Sequence, residues 1–368
     1  MKRLLIVALM AVLVSGLILG GCAQPAPEPA PAPEPTPAPE PAPAPAPEVI
    51  ELKFTNYQGP QAVPHLLFHV PFCEKVEELT KGRVKITTYP GGALGGPADQ
   101  YDLVLKGTAD IGLVSTGFYP GVFPMSGIIE LPMQFRSAEA ASATYWELTE
   151  KYLEDTDYSK GKVLYVHTTG LFNAFSTKEV KVLEDLDGLR TAAPSPVEAA
   201  IFAKLGLATT SMPPPEMYTA LERGLIDLTW HEWEGAYLGW KTYELTKYRI
   251  ANIDLATHDN VVIMNWDTWN SLPADIQQAF EEAGGFEKAR ECGRIFDEEE
   301  EGFRQAVIDH DQKVGNPPIY YLPEDERARW KAVVNPIIDE WIAEQEAAGR
   351  PGQAIFDDLQ LIKEKYAK

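Results

Sequence analysis

The chain has 368 residues, 54 of them acidic and 32 basic, for a formal net charge of −22. A 45% apolar content fills a sizeable core, which excludes wholesale disorder and a coiled coil, and the length suits about two domains. The carboxylate excess argues against nucleic-acid binding, which needs clustered Lys and Arg, and three cysteines cannot build a disulfide scaffold.

Lys2 and Arg3 precede an apolar run over residues 4–19 that is short for a membrane span and reads as an export signal. It ends in Leu19-Gly20-Gly21-Cys22, which resembles the bacterial lipobox, whose cysteine is diacylated and becomes the new N-terminus. Residues 1–21 are thus expected to be a signal peptide and Cys22 a lipid attachment point. The folded part would then sit outside the cytoplasm, in the periplasm or at the cell surface, touching the membrane through its lipid alone. Twelve of the 31 prolines fall between Gln24 and Glu48, alternating with Ala and Glu. Half of that run lacks an amide donor, so residues 22–48 are the anchor cysteine and an extended linker. In polyproline II form about 25 residues reach roughly 75 Å.

From residue 49 strand-like and helix-like stretches alternate. Residues 49–56 read as a strand and 63–80 as an amphipathic helix, with Leu66, Leu67, Val70, Cys73, Val76 and Leu79 on one face. Residues 84–89 alternate as a strand. The Pro90-Gly91-Gly92 turn follows, then a helix to Lys106 and a strand at 111–114. Further strands are expected at 161–167, 189–193, 209–212, 225–229 and 261–265, with helices between them. This order implies parallel or mixed sheets covered by helices. Residues 273–311 form an unusually long helical stretch, able to span two lobes, interrupted by Gly284, Gly285 and Gly293. Two helices, about 324–348 and 353–366, finish the pattern.

An internal echo supports two similar units. Tyr101, Lys106, Gly107, Asp110 and Ile111 recur with identical spacing as Tyr218, Arg223, Gly224, Asp227 and Leu228. In both, a helix closed by glycine leads into a strand, and glycine suits a helix C-cap with positive φ. Paired α/β lobes suit ligand capture between the carboxyl ends of their strands.

Enzyme motifs are largely absent. No Gly-x-Ser-x-Gly elbow or Gly-Lys-Ser/Thr phosphate loop occurs, and the glycines from Gly91 to Gly96 lack dinucleotide spacing. His231-Glu232 begins like a zincin motif, but Gly235 stands where the second His should be, so zinc would have too few ligands. Cys73 and Cys292 sit on apolar helical faces and read as buried thiols, with a disulfide as the alternative. Aromatic residues cluster at strand ends and in the loops after them: Tyr57, Phe118, Tyr119, Phe172, Trp230, Trp233 and Tyr237.

The chain resembles the solute-binding proteins of tripartite ATP-independent periplasmic (TRAP) transporters, the DctP-like family. The resemblance is carried by Phe72-Cys73-Glu74-Lys75-Val76-Glu77-Glu78-Leu79-Thr80-Lys81-Gly82-Arg83-Val84, by Tyr89-Pro90-Gly91-Gly92-Ala93-Leu94-Gly95 and by Lys106-Gly107-Thr108-Ala109-Asp110. It continues through Glu130-Leu131-Pro132-Met133-Gln134-Phe135, Asp185-Leu186-Asp187-Gly188-Leu189-Arg190 and the stretch from Pro215 to Asp227, then Met264-Asn265 and Trp269-Asn270-Ser271-Leu272-Pro273. It covers essentially all of residues 49–368. The resemblance implies an α/β, two-lobed periplasmic-binding-protein fold with a hinge and a long helix spanning both lobes. One lobe would hold residues 49–170 with about 258–300, the other 171–257 with about 301–368.

By the same resemblance the protein is not an enzyme. It would be a receptor that closes on a small organic ligand, an organic acid by class, and delivers it to the small and large membrane permease subunits of a TRAP transporter. No cofactor, metal or nucleic-acid partner is expected. The alternatives are a receptor for an ATP-driven importer and, less favoured, a secreted hydrolase using Glu232 and Glu234.

One departure bears on the ligand. The family usually reads Gly-Leu-Lys-Ile-Arg, whose Arg clamps a carboxylate, whereas here Gly188-Leu189 leads to Arg190, Thr191 and Ala192. The clamp position is Ala192, and Arg190, two residues before it, is on the same strand face, where it either leans toward the cleft mouth or stays at the surface paired with Asp187. Tyr57, Ser115, Phe172, Glu216, Trp230 and Trp233 are expected to line the cleft, with His65, Arg190, Ala192, Tyr218 and His231. An aromatic lining without the clamp suggests an aromatic or branched monocarboxylate rather than a C4-dicarboxylate.

Overall fold

The computed structural model describes residues 49–367. The export signal, Cys22 and the proline-rich linker lie outside the described residues. In chain order β1 (Ile50–Thr55) leads through α1 (Val70–Leu79) to β2 (Val84–Tyr89), and α2 (Gln100–Leu105) leads to β3 (Ile111–Ser115). Next come α3 (Ala138–Leu148), β4 (Gly161–Thr168) and β5 (Asn173–Ser176). A second alternating run follows: β6 (Arg190–Ala193), α4 (Pro196–Lys204), β7 (Ala208–Ser211), α5 (Pro214–Glu222) and β8 (Leu228–His231). β9 (Tyr248–Ala251) and β10 (Asp259–Asn265) precede α6 (Trp266–Ser271), α7 (Ala274–Ala283) and α8 (Gly285–Val314). β11 (Tyr320–Tyr321), α9 (Glu324–Val334), α10 (Pro336–Ala347) and α11 (Gly352–Tyr366) complete the order.

The strands form two mixed sheets, ordered β2-β1-β3-β10-β4 and β11-β9-β5-β8-β6-β7. β1 runs parallel to β2 and β3, and β10 joins antiparallel between β3 and β4. In the second sheet β6 runs parallel to β7 and β8, and β5 is antiparallel to β8 and β9. The chain therefore has the expected two-lobed α/β architecture. Phe54, Phe72, Tyr165 and Phe280 pack about the first sheet, while a larger core runs continuously from Val114, Val166 and Ile263 of that sheet to Phe202, Trp230 and Trp330 beside the second.

Two crossovers join the sheets, one between β4 and β5 and one between β9 and β10, and they run side by side. Thr169 donates its amide to the His258 carbonyl at 3.0 Å, and Phe172 to that of Ala256 at 3.0 Å. The Thr257 hydroxyl adds a bond to the Thr169 carbonyl at 2.8 Å. α8 bridges the same two lobes. Near its start Cys292 and Phe296 pack with Phe72 and Phe280 under the first sheet, while Val307 packs with Phe175 of β5 and Trp233 in a separate small cluster by the second. Further along, Asp311 holds buried Arg249 of β9 at 2.9 Å.

The long helical stretch breaks into α7 and α8 at Gly284. A side chain there would meet the Leu164 carbonyl at 2.3 Å, and Gly285 takes a φ of +69°, which favours glycine. The expected 324–348 helix likewise breaks before Pro336, where proline removes an amide donor. The assignment of residues 301–368 to the second lobe does not hold for α11. This helix returns to the first lobe, where Lys365 pairs with Glu147 of α3 at 2.6 Å. Cys73 and Cys292 are both free, buried thiols, and burial pushes each up to about 12.

Candidate ligand-binding site

The facing ends of β3 and β8 bound a cleft, and the residue pattern explains how its side chains are held. Gly91 and Gly92 adopt φ of +68° and +71°, and their amides donate to the carbonyls of Gln58 and Asn56 at 2.6 and 3.0 Å. The Pro90-Gly91-Gly92 turn thereby fixes the loop after β1 that carries Tyr57. The Tyr57 hydroxyl lies 2.8 Å from Ser115 Oγ, at the end of β3, and Ser115 donates to Asn260 Oδ1 at 2.5 Å. Phe118 packs edge-on to Tyr57 with centroids 5.6 Å apart.

Ser195 caps α4 by accepting the Glu198 amide at 3.1 Å, which sets Glu198 in the first helical turn. Its carboxyl reaches the crossover, where His258 Nε2 is 3.0 Å from Glu198 Oε1 and Nδ1 is 3.1 Å from Glu130 Oε1. Burial alone would lower the His258 pKa, but the carboxylates of Glu198 and Glu130 raise it to about 10. The ring is therefore an imidazolium that ties α4 of the second lobe to the Glu130 loop of the first. Glu130, Glu198 and His258 come close enough together to suggest a metal site. Each carboxylate, however, takes a different ring nitrogen, on opposite edges of one imidazole, so a single ion cannot replace both contacts.

Beyond β8 the chain turns through Glu232, Trp233 and Glu234. Glu234 Oε1 accepts the Val63 amide at 3.0 Å, a bond across the cleft. Burial pushes Glu232 up to about 7; burial and then the Glu232 charge push Glu234 up to about 8. Burial lowers His231 to about 3, so it is neutral. Glu300 of α8 is raised by burial and by Glu232. His231, Glu232, Glu234 and His258, with Tyr57, Gln58, Thr169, Trp240 and Phe296, enclose a cavity of about 30 Å³. That volume holds about two waters, so an organic ligand requires the lobes to part. Larger hollows of about 420 and 320 Å³ lie along α7 and α8, away from the strand ends.

Of the residues expected at the site, Tyr57 and His231 line this cavity. Ser115 holds Tyr57, and Phe172 packs edge-on to His258 with centroids 5.1 Å apart. His65 is buried, its Nδ1 without a partner, next to Pro64 of the wall. The others lie elsewhere. Trp230 stacks on Phe202 in the larger core, and Trp233 packs on Phe175. Ala192 is buried against Met217 and Ala220 of α5. Arg190 is bound to Asp227, Tyr218 donates to Glu244 at 3.1 Å, and Glu216 is exposed. Sequence reasoning left out Glu130, Glu198, His258 and Asn260. His258-Asp259-Asn260, three polar residues opening an apolar strand, is the signal that marks the last two.

The family model described as "Bacterial extracellular solute-binding protein, family 7" (DctP) matches residues 55–345. The chain belongs to this family. It is 27% identical over 252 residues to the 2,3-diketo-L-gulonate-binding periplasmic protein YiaO of Escherichia coli, covering 66% of this chain and 76% of that protein. A TRAP solute-binding protein of Rhodoferax ferrireducens, solved with copurified benzoate, superposes with a TM-score of 0.81 at 27% identity, covering 86% of this chain and 98% of that one. A marine-metagenome TRAP protein specific for aromatic acid ligands gives 0.81 at 27% identity over 87% of this chain and all of that one. DctP-family proteins are extracytoplasmic solute receptors that work with membrane permeases, and this chain shares that role. Among the described residues no helix is long and apolar enough to cross a membrane.

Proposed function

We propose that the protein captures a small organic acid between its two lobes and hands it to the small and large permease subunits of a TRAP-type secondary transporter. The observation that carries this reading is the cavity walled by Tyr57, His231 and Glu232, set between facing strand ends of two sheets that paired crossovers connect. Open α/β sheets bind ligands at such ends. The acid class is supported by the relatives, whose described ligands include benzoate and 2,3-diketo-L-gulonate. The lobes comprise residues 49–170 with about 258–300, and 171–257 with the chain beyond about 301 up to α11. Ligand binding selects their closed arrangement by a hinge motion at the crossovers.

Anchoring completes the reading: acylation at Cys22 tethers the receptor, and the proline-rich linker lets the lobes reach the permease. Mass spectrometry of native protein should find a copurified organic acid, and thermal shifts with benzoate, mandelate and 2,3-diketo-L-gulonate should rank its class. Turnover of a bound acid would overturn the receptor reading. Expressed with its own leader, Cys22→Ser should move from the membrane to the aqueous fraction, and an equally soluble wild type would remove the anchor.

A further inference from the structure

A carboxylate entering the cleft needs hydrogen donors or compensating charge, and the wall restricts where these come from. Among the described residues lining the cavity there is no Lys or Arg; Tyr57, His231, Glu232, Glu234 and His258 are its titratable side chains. Arg190 is tied to Asp227 and Ala192 has no polar side-chain atom. The charge of His258 is already met, Nδ1 by a hydrogen bond to Glu130 and Nε2 by an ion pair with Glu198 at 3.0 Å. Two other polar atoms on the wall, Gln58 Oε1 and His231 Nε2, are buried without a partner, on residues only 6% and 4% exposed. Orphaned buried polar atoms facing a closable cleft call for a polar ligand.

Resting on the acid-receptor reading above, we propose that the cleft takes a monocarboxylate together with one proton, held by neutral donors: the carboxyl O–H of Glu232 or Glu234 and the Nε2–H of His231. The proton passes from solvent to a glutamate oxygen, and the new O–H donates to the ligand carboxylate. No covalent bond to the ligand forms. A carboxylic acid donating to a carboxylate makes a short, charge-assisted bond, which fills the part a guanidinium plays elsewhere.

The surroundings favour that proton. Glu232 faces Tyr57 from the loop after β1, Glu198 from α4, His258 from the crossover, Glu234 from its own loop, and Glu300 from α8, which in turn feels Asp297 and Arg304. Burial already lifts both glutamates, the Glu232 charge lifts Glu234 further while His258 pulls Glu232 partly back, and an arriving anion lifts both. A dicarboxylate adds a second charge that the wall does not meet, so monocarboxylates are preferred.

Calorimetry with benzoate and (R)-mandelate at pH 6.5, 7.5 and 8.5, in two buffers of different ionisation enthalpy and with and without a chelator, tests the coupling. With the free carboxyls at about 7 and 8, proton uptake should be small at pH 6.5 and rise toward one at pH 8.5, and the affinity should be nearly flat at the acid end and weaken toward tenfold per pH unit at the alkaline end. Glu234→Gln, whose amide donates without titrating, should flatten that slope. Binding that is independent of pH, with no proton uptake, overturns this inference while leaving the acid receptor intact. Binding abolished by the chelator assigns the charge compensation to a metal and also overturns it. If neither acid binds at pH 6.5, or benzylamine binds and tightens as pH rises, both readings fall.

Discussion

Arg190 grips Asp227 through Nε and Nη2 at 2.8 and 2.9 Å, while its own amide donates to the same carboxylate at 3.0 Å. The first lobe repeats the backbone half of this device: the Lys53 amide donates to Asp110 Oδ2 at 2.8 Å. Each aspartate amide returns a bond, Asp110 to the Lys53 carbonyl at 3.0 Å and Asp227 to that of Arg190 at 2.7 Å. Both aspartates directly precede their strands, β3 and β8, at the ends opposite Ser115 and His231. The hydrogen bond from Arg190 holds the Asp227 carboxyl below its usual range, so the arginine serves this joint. Arg190→Ala should therefore change benzoate affinity by less than about twofold, as expected for an exposed ion pair outside the cleft. A larger loss in calorimetry would return Arg190 to the ligand.

The same pair shows what was legible in sequence. The spacing shared by Asp110 and Asp227, each three residues after a glycine, marked two equivalent units, and Gly107 and Gly224 indeed take φ of +67° and +64°. β1, β2 and β10 were readable from apolar alternation or apolar runs. β5, with the sequence Asn-Ala-Phe-Ser, was not, because it is four buried residues with no period of its own. The site was read less well for a physical reason. Trp230 lies at a strand end in sequence, but the strand pleat turns its ring to Phe202 and Trp330 on the helix side. His258, Glu130 and Glu198 come from three distant segments, and only the fold brings them together.

The imidazolium between the lobes makes stability depend on pH. The folded pKa of His258, about 10, exceeds its ordinary 6.5, so its contribution is complete below pH 6.5 and is lost as pH rises toward 10. Burial and the Glu130 charge raise Asp259, and this acts in the same direction, since the folded state again binds more protons. Around the ring stand Glu130, Glu198 and Asp259, with Glu232 and His231 beyond. Thermal unfolding should thus show a melting temperature that falls from pH 6.5 to pH 9.5, and a shallower fall in His258→Gln. A melting temperature that rises over this window would remove the imidazolium.

α8 is fixed against the first lobe by a missing side chain. At Gly293 an added Cβ would sit 2.2 Å from the Ala138 carbonyl oxygen and 2.7 Å from Glu139 Cα, both backbone atoms that cannot swing away. Alanine normally favours a helix interior over glycine. Here overpacking wins, and Gly293→Ala should destabilise by about 1–3 kcal/mol in urea unfolding. Gly302, on the same helix with open space around it, is the control, and Gly302→Ala should stabilise slightly. Equal effects at the two positions would show that α8 does not approach α3 this closely.

Trp230 and Tyr57 separate stability from binding. Trp230 is 4% exposed, stacks on Phe202 with centroids 5.2 Å apart and meets Trp330 edge-on at 6.3 Å. Truncating so large a buried ring removes its transfer energy and leaves a cavity, so Trp230→Ala should cost about 3–5 kcal/mol of stability. Its side chain does not line the cleft, so the folded fraction should bind benzoate with unchanged affinity. Tyr57→Phe keeps the packed ring against Phe118 but removes the hydroxyl that Ser115 holds at 2.8 Å on the cavity wall. The lost internal bond should cost only about 1 kcal/mol of stability, far less than Trp230→Ala, while the altered wall changes benzoate affinity. Paired denaturation and calorimetry on the two variants check this. A Trp230→Ala protein that stays stable but fails to bind would exchange the two roles.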